Sequence, residues 1–167
     1  MIARFITDNF NFIKEFNESL KNPKKVQERV LLRIVSRNKN TEYGKAYGFN
    51  NIHSVAEFQK KVTVVSYEDI LPYIEKQKNK EKNILTKDKV IYFATTSGTT
   101  KSVKLIPVTA ERERIHRREL ALWGFFMLKK FRGLLKGKTL YFAGPYLEFY
   151  TAKGVPCGSI SGYLAHK

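Results

Sequence analysis

Cysteine, histidine and long apolar runs are scarce in this chain of 167 residues, and each scarcity excludes something. The single cysteine, Cys157, rules out an internal disulfide framework and leaves no cysteine pair for a zinc site. His53, His116 and His166 stand far apart, with none of the short spacings that mark a metal site. The longest apolar run, Leu120 to Leu128, is nine residues, where a bilayer-spanning helix needs about 20. The opening MIARFITDNFNFIKEF alternates apolar and polar residues and lacks the unbroken apolar stretch of a signal peptide. What is plentiful is apolar and positively charged: 43% hydrophobic residues, enough for a sizeable core, and a formal net charge of +16. The starting class is a soluble, intracellular, strongly basic α/β protein of one domain or part of a larger one.

The positive charge is concentrated. Residues 101–138 carry eleven basic and three acidic side chains, whereas residues 51–100 carry eight and six. A localised basic patch suits a phosphate-rich partner, polynucleotide or nucleotide, and equally suits the solvated face of a helix.

Hydropathy patterning divides the chain by character. Residues 3–20 read as an amphipathic helix with Phe5, Ile6, Phe12, Ile13, Phe16 and Leu20 as its stripe, broken at Asn22-Pro23. Pro23 suits the first turn of a second helix carrying Val26, Val30, Leu31, Ile34 and Val35. Asn38 to Asn51 reads as a polar loop turning at Gly44 and Gly48, and Ser54 with Glu57 forms a capping box before a short helix. Tyr67 to Gln77 predicts another helix, kinked or started at Pro72, and Lys76–Lys82 a solvated turn. Strand-type runs follow at Val90–Ala94, Val103–Val108 and Thr139–Ala143. Between the last two, Thr109 caps a helix over 110–131 with acids in its first turns, lysines in its last, and Trp123, Phe125 and Phe126 as core. The Gly/Ser-rich tail 154–162 reads as a loop, with Cys157 as a small filler.

The chemistry-bearing stretch is Thr95-Thr96-Ser97-Gly98-Thr99-Thr100, six small residues at the end of the first strand. Hydroxyls and unhindered backbone N–H groups surround phosphate oxygens well, and glycine permits close approach. Lys104 can add positive charge against polyphosphate. The tract is no Walker A loop, since Gly98 has no second glycine at the required spacing and a strand-like run follows instead of a helix. By itself it fits a surface turn as well as a ligand loop.

TSGTTKSVK, residues 96–104, resembles the phosphate-binding signature of adenylate-forming enzymes, Thr-Ser-Gly-Thr-Thr-Gly-x-Pro-Lys. More narrowly, YFATTSGTT followed by KLIPVT is similar to the GH3 family of acyl acid-amido synthetases. NKNTEYGKAYGF, SVAEFQKKV, YEDILPYIEK and GVPCGSISG resemble segments of that family in the same order, from about Gln27 to Gly162. Lys101 departs from the signature glycine, Val103 from its proline, and Val64 from a proline of the family.

The resemblance implies an α/β fold in which N-terminal helices pack on the first strands of an incomplete adenylate-forming large domain. The remainder of that domain and the mobile C-terminal domain would be absent, so the 167 residues alone would be inactive and would expose apolar sheet edges. It also implies ATP with Mg²⁺, carboxylic acid and amino acid substrates, no membrane or nucleic-acid partner, and a cytoplasmic setting. Ser97, Gly98, Thr99 and Thr100 would wrap the phosphates and Lys104 would counter their charge; no side chain acts as nucleophile. Two other readings stay open: a catalytically silent remnant, and a basic nucleic-acid-binding module built on Arg112–Arg118 and Lys129–Lys138.

Overall fold

A computed structural model describes residues 9–96, 103–138 and 140–166. They fall into two compact units. One comprises the chain up to Val26 with Glu111–Phe142, the other Gln27–Ala110 with the chain from Ala143 onward.

The second unit holds the sheet. Strands β1 (Val90–Thr95), β2 (Leu105–Thr109), β3 (Phe149–Tyr150) and β4 (Pro156–Ser159) lie in the order β2-β1-β4-β3. β1 pairs antiparallel with β2 and parallel with β4, and β3 pairs antiparallel with β4. The central position of β1 explains its unbroken apolar sequence, since a strand covered on both faces has no solvent side to mark with polar residues. Tyr92, Phe93 and Ala94 are all buried.

On one face, Phe93, Leu105, Val155 and Cys157 pack with Ile74 of a helix at Tyr67–Lys78, flanked by Tyr67 and Ile70. On the other, Tyr92, Ala94 and Val108 pack with Tyr163 of a helix at Ile160–His166. A register shift between Val90 and Tyr92 puts an extra residue, Ile91, into β1. Val90 therefore joins the first face, while Ile91 and Tyr92 both join the second. A third cluster, Val35, Phe49 and Ile52, sits beneath Leu31, Leu32, Tyr43 and Tyr47.

Among the described residues the α-helices are α1 (Phe10–Ser19), α2 (Pro23–Asn38), α3 (Glu42–Ala46), α4 (Val55–Lys61), α5 (Tyr67–Lys78), α6 (Ala110–Lys130) and α7 (Ile160–His166). α5 begins on a complete capping box: the Ser66 hydroxyl accepts from the Asp69 N–H, and the Asp69 carboxylate accepts from the Ser66 N–H. Pro72 lies inside this helix instead of starting it. At α4 the Ser54 hydroxyl accepts from Glu57 N–H, but the Glu57 carboxylate reaches past Ser54 to the His53 N–H at 2.6 Å.

Several sequence expectations give way here. The presumed loop 38–51 contains α3, capped by Thr41, whose hydroxyl accepts from Gly44 N–H and donates to the Asn38 carbonyl. Gly44 is not a turn residue but a contact: a Cβ there would lie 2.1 Å from the Asn38 oxygen. Gly48, by contrast, does adopt a left-handed conformation, with φ of 63°. In the stretch 76–82, Gln77 is buried and not solvated.

The tail read as a loop forms β4 and α7. Gly154 turns in a left-handed conformation, but Gly158 serves close packing, for a Cβ there would meet the Tyr146 oxygen at 2.4 Å and the Tyr92 hydroxyl at 2.7 Å. The strand expected over 139–143 does not form at Leu140–Ala143, which no described strand pairs. Thr139 lies outside the described residues.

In the first unit, α1 buries Ile13 and α6 buries Ala121. Trp123 of α6 is 63% exposed, and Phe126 is also exposed, so this face is not the core its pattern suggested. The Arg118 guanidinium lies 5.2 Å from the Phe12 ring centre.

Candidate functional site

The two strand runs flanking the Thr/Ser/Gly tract are the two arms of a hairpin. Thr95 pairs with Leu105, and beyond that pair the Thr96 N–H donates to the Lys104 carbonyl at 3.2 Å. The loop between is thereby pinned at its foot by main-chain bonds. Ser97, Gly98, Thr99 and Thr100 lie outside the described residues; Lys104 lies at the foot. Its ammonium is 3.4 Å from the Glu68 carboxylate and 5.0 Å from the Tyr67 ring centre.

Antiparallel pairing alternates inward and outward backbone groups. With Lys104 bonded toward β1, Leu105 faces the open edge of β2, where the Tyr67 hydroxyl meets it. That hydroxyl accepts from the Leu105 N–H at 2.9 Å and donates to the Leu105 carbonyl at 3.4 Å. By the same alternation Pro107 faces outward on an edge strand, where a missing N–H costs no ladder bond.

The parallel partner brings a second rim to the same end of the sheet, since Thr95 stands opposite Ser159. The Thr95 hydroxyl donates to the Glu148 carboxylate at 3.2 Å. The Tyr92 hydroxyl donates to the Tyr146 carbonyl at 2.7 Å and lies 3.1 Å from that of Ser159. Burial, followed by the charge of Glu148, pushes the Tyr92 phenol up to about 12. The Ser161 hydroxyl accepts from the Gly144 N–H at 3.1 Å and lies 2.7 Å from that of Ser159. A Cβ on Gly144 would come within 2.6 Å of Ser159, so glycine is what lets the two segments lie flush. Sequence reasoning placed Thr95 in the tract but singled out none of Tyr67, Glu68 and Glu148 as site-adjacent. Their signal is in the pairing, not in any local motif.

Electrostatics separate the groups. Glu68 is held below the usual carboxylate range by its own backbone N–H and then by the charge of Lys104. Burial pushes the Cys157 thiol up, which makes it a poor nucleophile and fits its place in a central strand. Among the described residues no group of three or more His, Cys, Asp or Glu side chains could hold a metal, and no helix is long and apolar enough to cross a membrane.

The arginine-rich start of α6 is largely answered within the helix. Arg114 pairs with Glu111 at 2.6 Å, Arg117 with Glu113 at 2.7 Å, and Arg112 with Glu119 at 3.0 Å. Such laddered pairs belong to a solvated helix, and they blunt the basic face that a nucleic-acid reading requires.

A mixed four-stranded sheet with helices on both faces, in which β1 and β2 pair on either side of the Thr/Ser/Gly tract, defines an α/β fold. Residues 12–167 match the GH3 family N-terminal domain, and the chain belongs to the GH3 family. Indole-3-acetic acid-amido synthetase GH3.2 of Arabidopsis thaliana is 37% identical over 147 residues, covering 86% of this chain and 27% of that protein. GH3.4 from the same plant, also an indole-3-acetic acid-amido synthetase, is 38% identical over 149 residues, covering 86% and 24%. Among solved structures, the GH3.15 acyl acid amido synthetase matches with a TM-score of 0.83 at 30% identity, covering 93% of this chain and 28% of that one. AtGH3.15 in complex with 2,4-DB gives 0.77 at 30% identity over 96% and 28%. The chain thus spans about a quarter of the length of the relatives it matches.

Proposed function

We propose that this chain is the first part of the large domain of an ATP-dependent acyl acid-amido synthetase, acting in the cytoplasm, and that it supplies the grip on the nucleotide phosphates. The carrying observation is the hairpin: main-chain bonds close β1 and β2 on the Thr/Ser/Gly tract and leave Lys104 at its foot. Membership of the GH3 family supports the reaction class.

The reaction runs in two steps. A substrate carboxylate oxygen attacks the α-phosphorus of ATP, the bond to the β-phosphate bridging oxygen breaks, and acyl-adenylate and pyrophosphate result. An amino acid amine then attacks the acyl carbon, loses a proton, and expels AMP as the amide forms. The leaving pyrophosphate gathers negative charge, so preorganised donors and cations around it lower the barrier. Ser97, Gly98, Thr99 and Thr100 would offer hydroxyls and N–H groups to those oxygens, and Lys104 a cation. No side chain of the chain need become a nucleophile. Mg²⁺ bound with the nucleotide would supply further charge neutralisation.

The test is carboxylate-dependent exchange of pyrophosphate into ATP by the intact protein, that is, the full-length synthetase of which this chain is proposed to be the first part. Exchange that requires a carboxylic acid supports the reading; its absence with a panel of aryl and indole acids speaks for a silent remnant. Lys101→Gly restores the signature residue and is expected to leave exchange intact or raise it, whereas Gly98→Val blocks backbone approach and abolishes it.

A further inference from the structure

The described contacts of the Lys104 side chain come from the first turn of α5. Tyr67 uses both roles of its hydroxyl on Leu105, the residue next to Lys104, and so ties down the edge of β2 where the loop re-enters the sheet. The same ring lies beneath the Lys104 ammonium, and the adjacent Glu68 carboxylate meets it. The turn is itself fixed by the Ser66–Asp69 capping box, and Tyr67 and Ile70 pack against the core cluster of the sheet. Glu68 is 69% exposed, so its hold on the lysine is weak enough to exchange. A cation–π contact is indifferent to which anion the ammonium meets, so it survives that exchange.

We propose that the first turn of α5 is a latch on Lys104: Tyr67 fixes the foot of the loop, and Glu68 holds the lysine until polyphosphate takes its place. The inference rests on the phosphate-loop reading of Lys104. It assigns Tyr67 as a positioning residue and Glu68 as a competitor whose removal favours nucleotide. Sequence position gives no hint of this, because 38 residues separate Tyr67 from Leu105.

Calorimetric titration of the intact protein with inorganic tripolyphosphate, and separately with ATP, tests the latch. Glu68→Gln keeps the helix start and removes the competing charge, so it tightens binding about two- to fivefold. The same change in a Lys104→Ala background has less effect, which separates a latch from general relief of repulsion. Tyr67→Phe keeps the ring, loses the hydroxyl and weakens binding, and combined with Lys104→Ala it adds little. Tightening by Glu68→Gln of equal size in both backgrounds, or none where Lys104→Ala alone weakens binding, overturns the latch and leaves the phosphate-loop reading standing. Unchanged binding in Lys104→Ala alone removes both.

Discussion

Val90–Ala94 and Leu140–Ala143 look alike as sequence, each a short run of aliphatic and aromatic residues that ends in Tyr-Phe-Ala, yet they meet opposite fates. Tyr92 and Phe93 are 0% exposed, between β2 and β4 and under a helix on each face. Leu140 and Phe142 are 79% and 85% exposed, with no described strand beside them. Strand propensity is a statement about fitting a pleated, covered surface, and it is realised only where partners supply that surface. The first run has strand neighbours and builds the hairpin that presents the candidate site; the second has no described strand beside it.

The contrast is sharpest in stability. Phe93→Ala empties a filled position between α5 and the sheet and should cost about 3–5 kcal/mol in urea unfolding. Next comes Tyr92→Phe, which removes a buried hydroxyl donating to the Tyr146 carbonyl and should cost about 1–2 kcal/mol. Its pH signature is specific. The folded phenol stays protonated up to about 12 against an ordinary 10.0. The folded form therefore binds more protons across that window, so stability falls as pH rises from 10.0 toward about 12. Tyr92→Phe should flatten that decline. The smallest effect belongs to the other run: Phe142→Ser should shift unfolding by no more than about 0.5 kcal/mol. A large loss there would show that Phe142 is covered after all, and the comparison would fail.

The parts legible from sequence are those written in local chemistry. The helix break at Asn22-Pro23, the cap at Ser54, the span of α6 and the strands around the Thr/Ser/Gly tract all follow from residues within a few positions of one another. The ordered family segments made the α/β class and the membership legible as well. What was hidden is written in long-range contacts. β4 carries Gly158 because Tyr146 and Tyr92 leave no room for a Cβ, and a glycine forced by packing looks the same in sequence as one freed for a turn. Thr41 turned a polar segment into a helix by capping it. At the candidate site, Lys104 could be named from its motif, but Tyr67 and Glu68 could not, since only antiparallel pairing shows that Leu105 turns its backbone toward them.

The central claim is that the covered hairpin exists to present Lys104 and its loop to polyphosphate. The most direct measurement is carboxylate-dependent pyrophosphate exchange by the intact protein and its Lys104→Ala variant, with circular dichroism confirming that both are folded. Loss of a cation from the developing pyrophosphate charge should cost about 2–4 kcal/mol of transition-state stabilisation, or on the order of 10²–10³ in exchange rate. A well-folded Lys104→Ala protein that exchanges pyrophosphate at the unaltered rate would contradict the account.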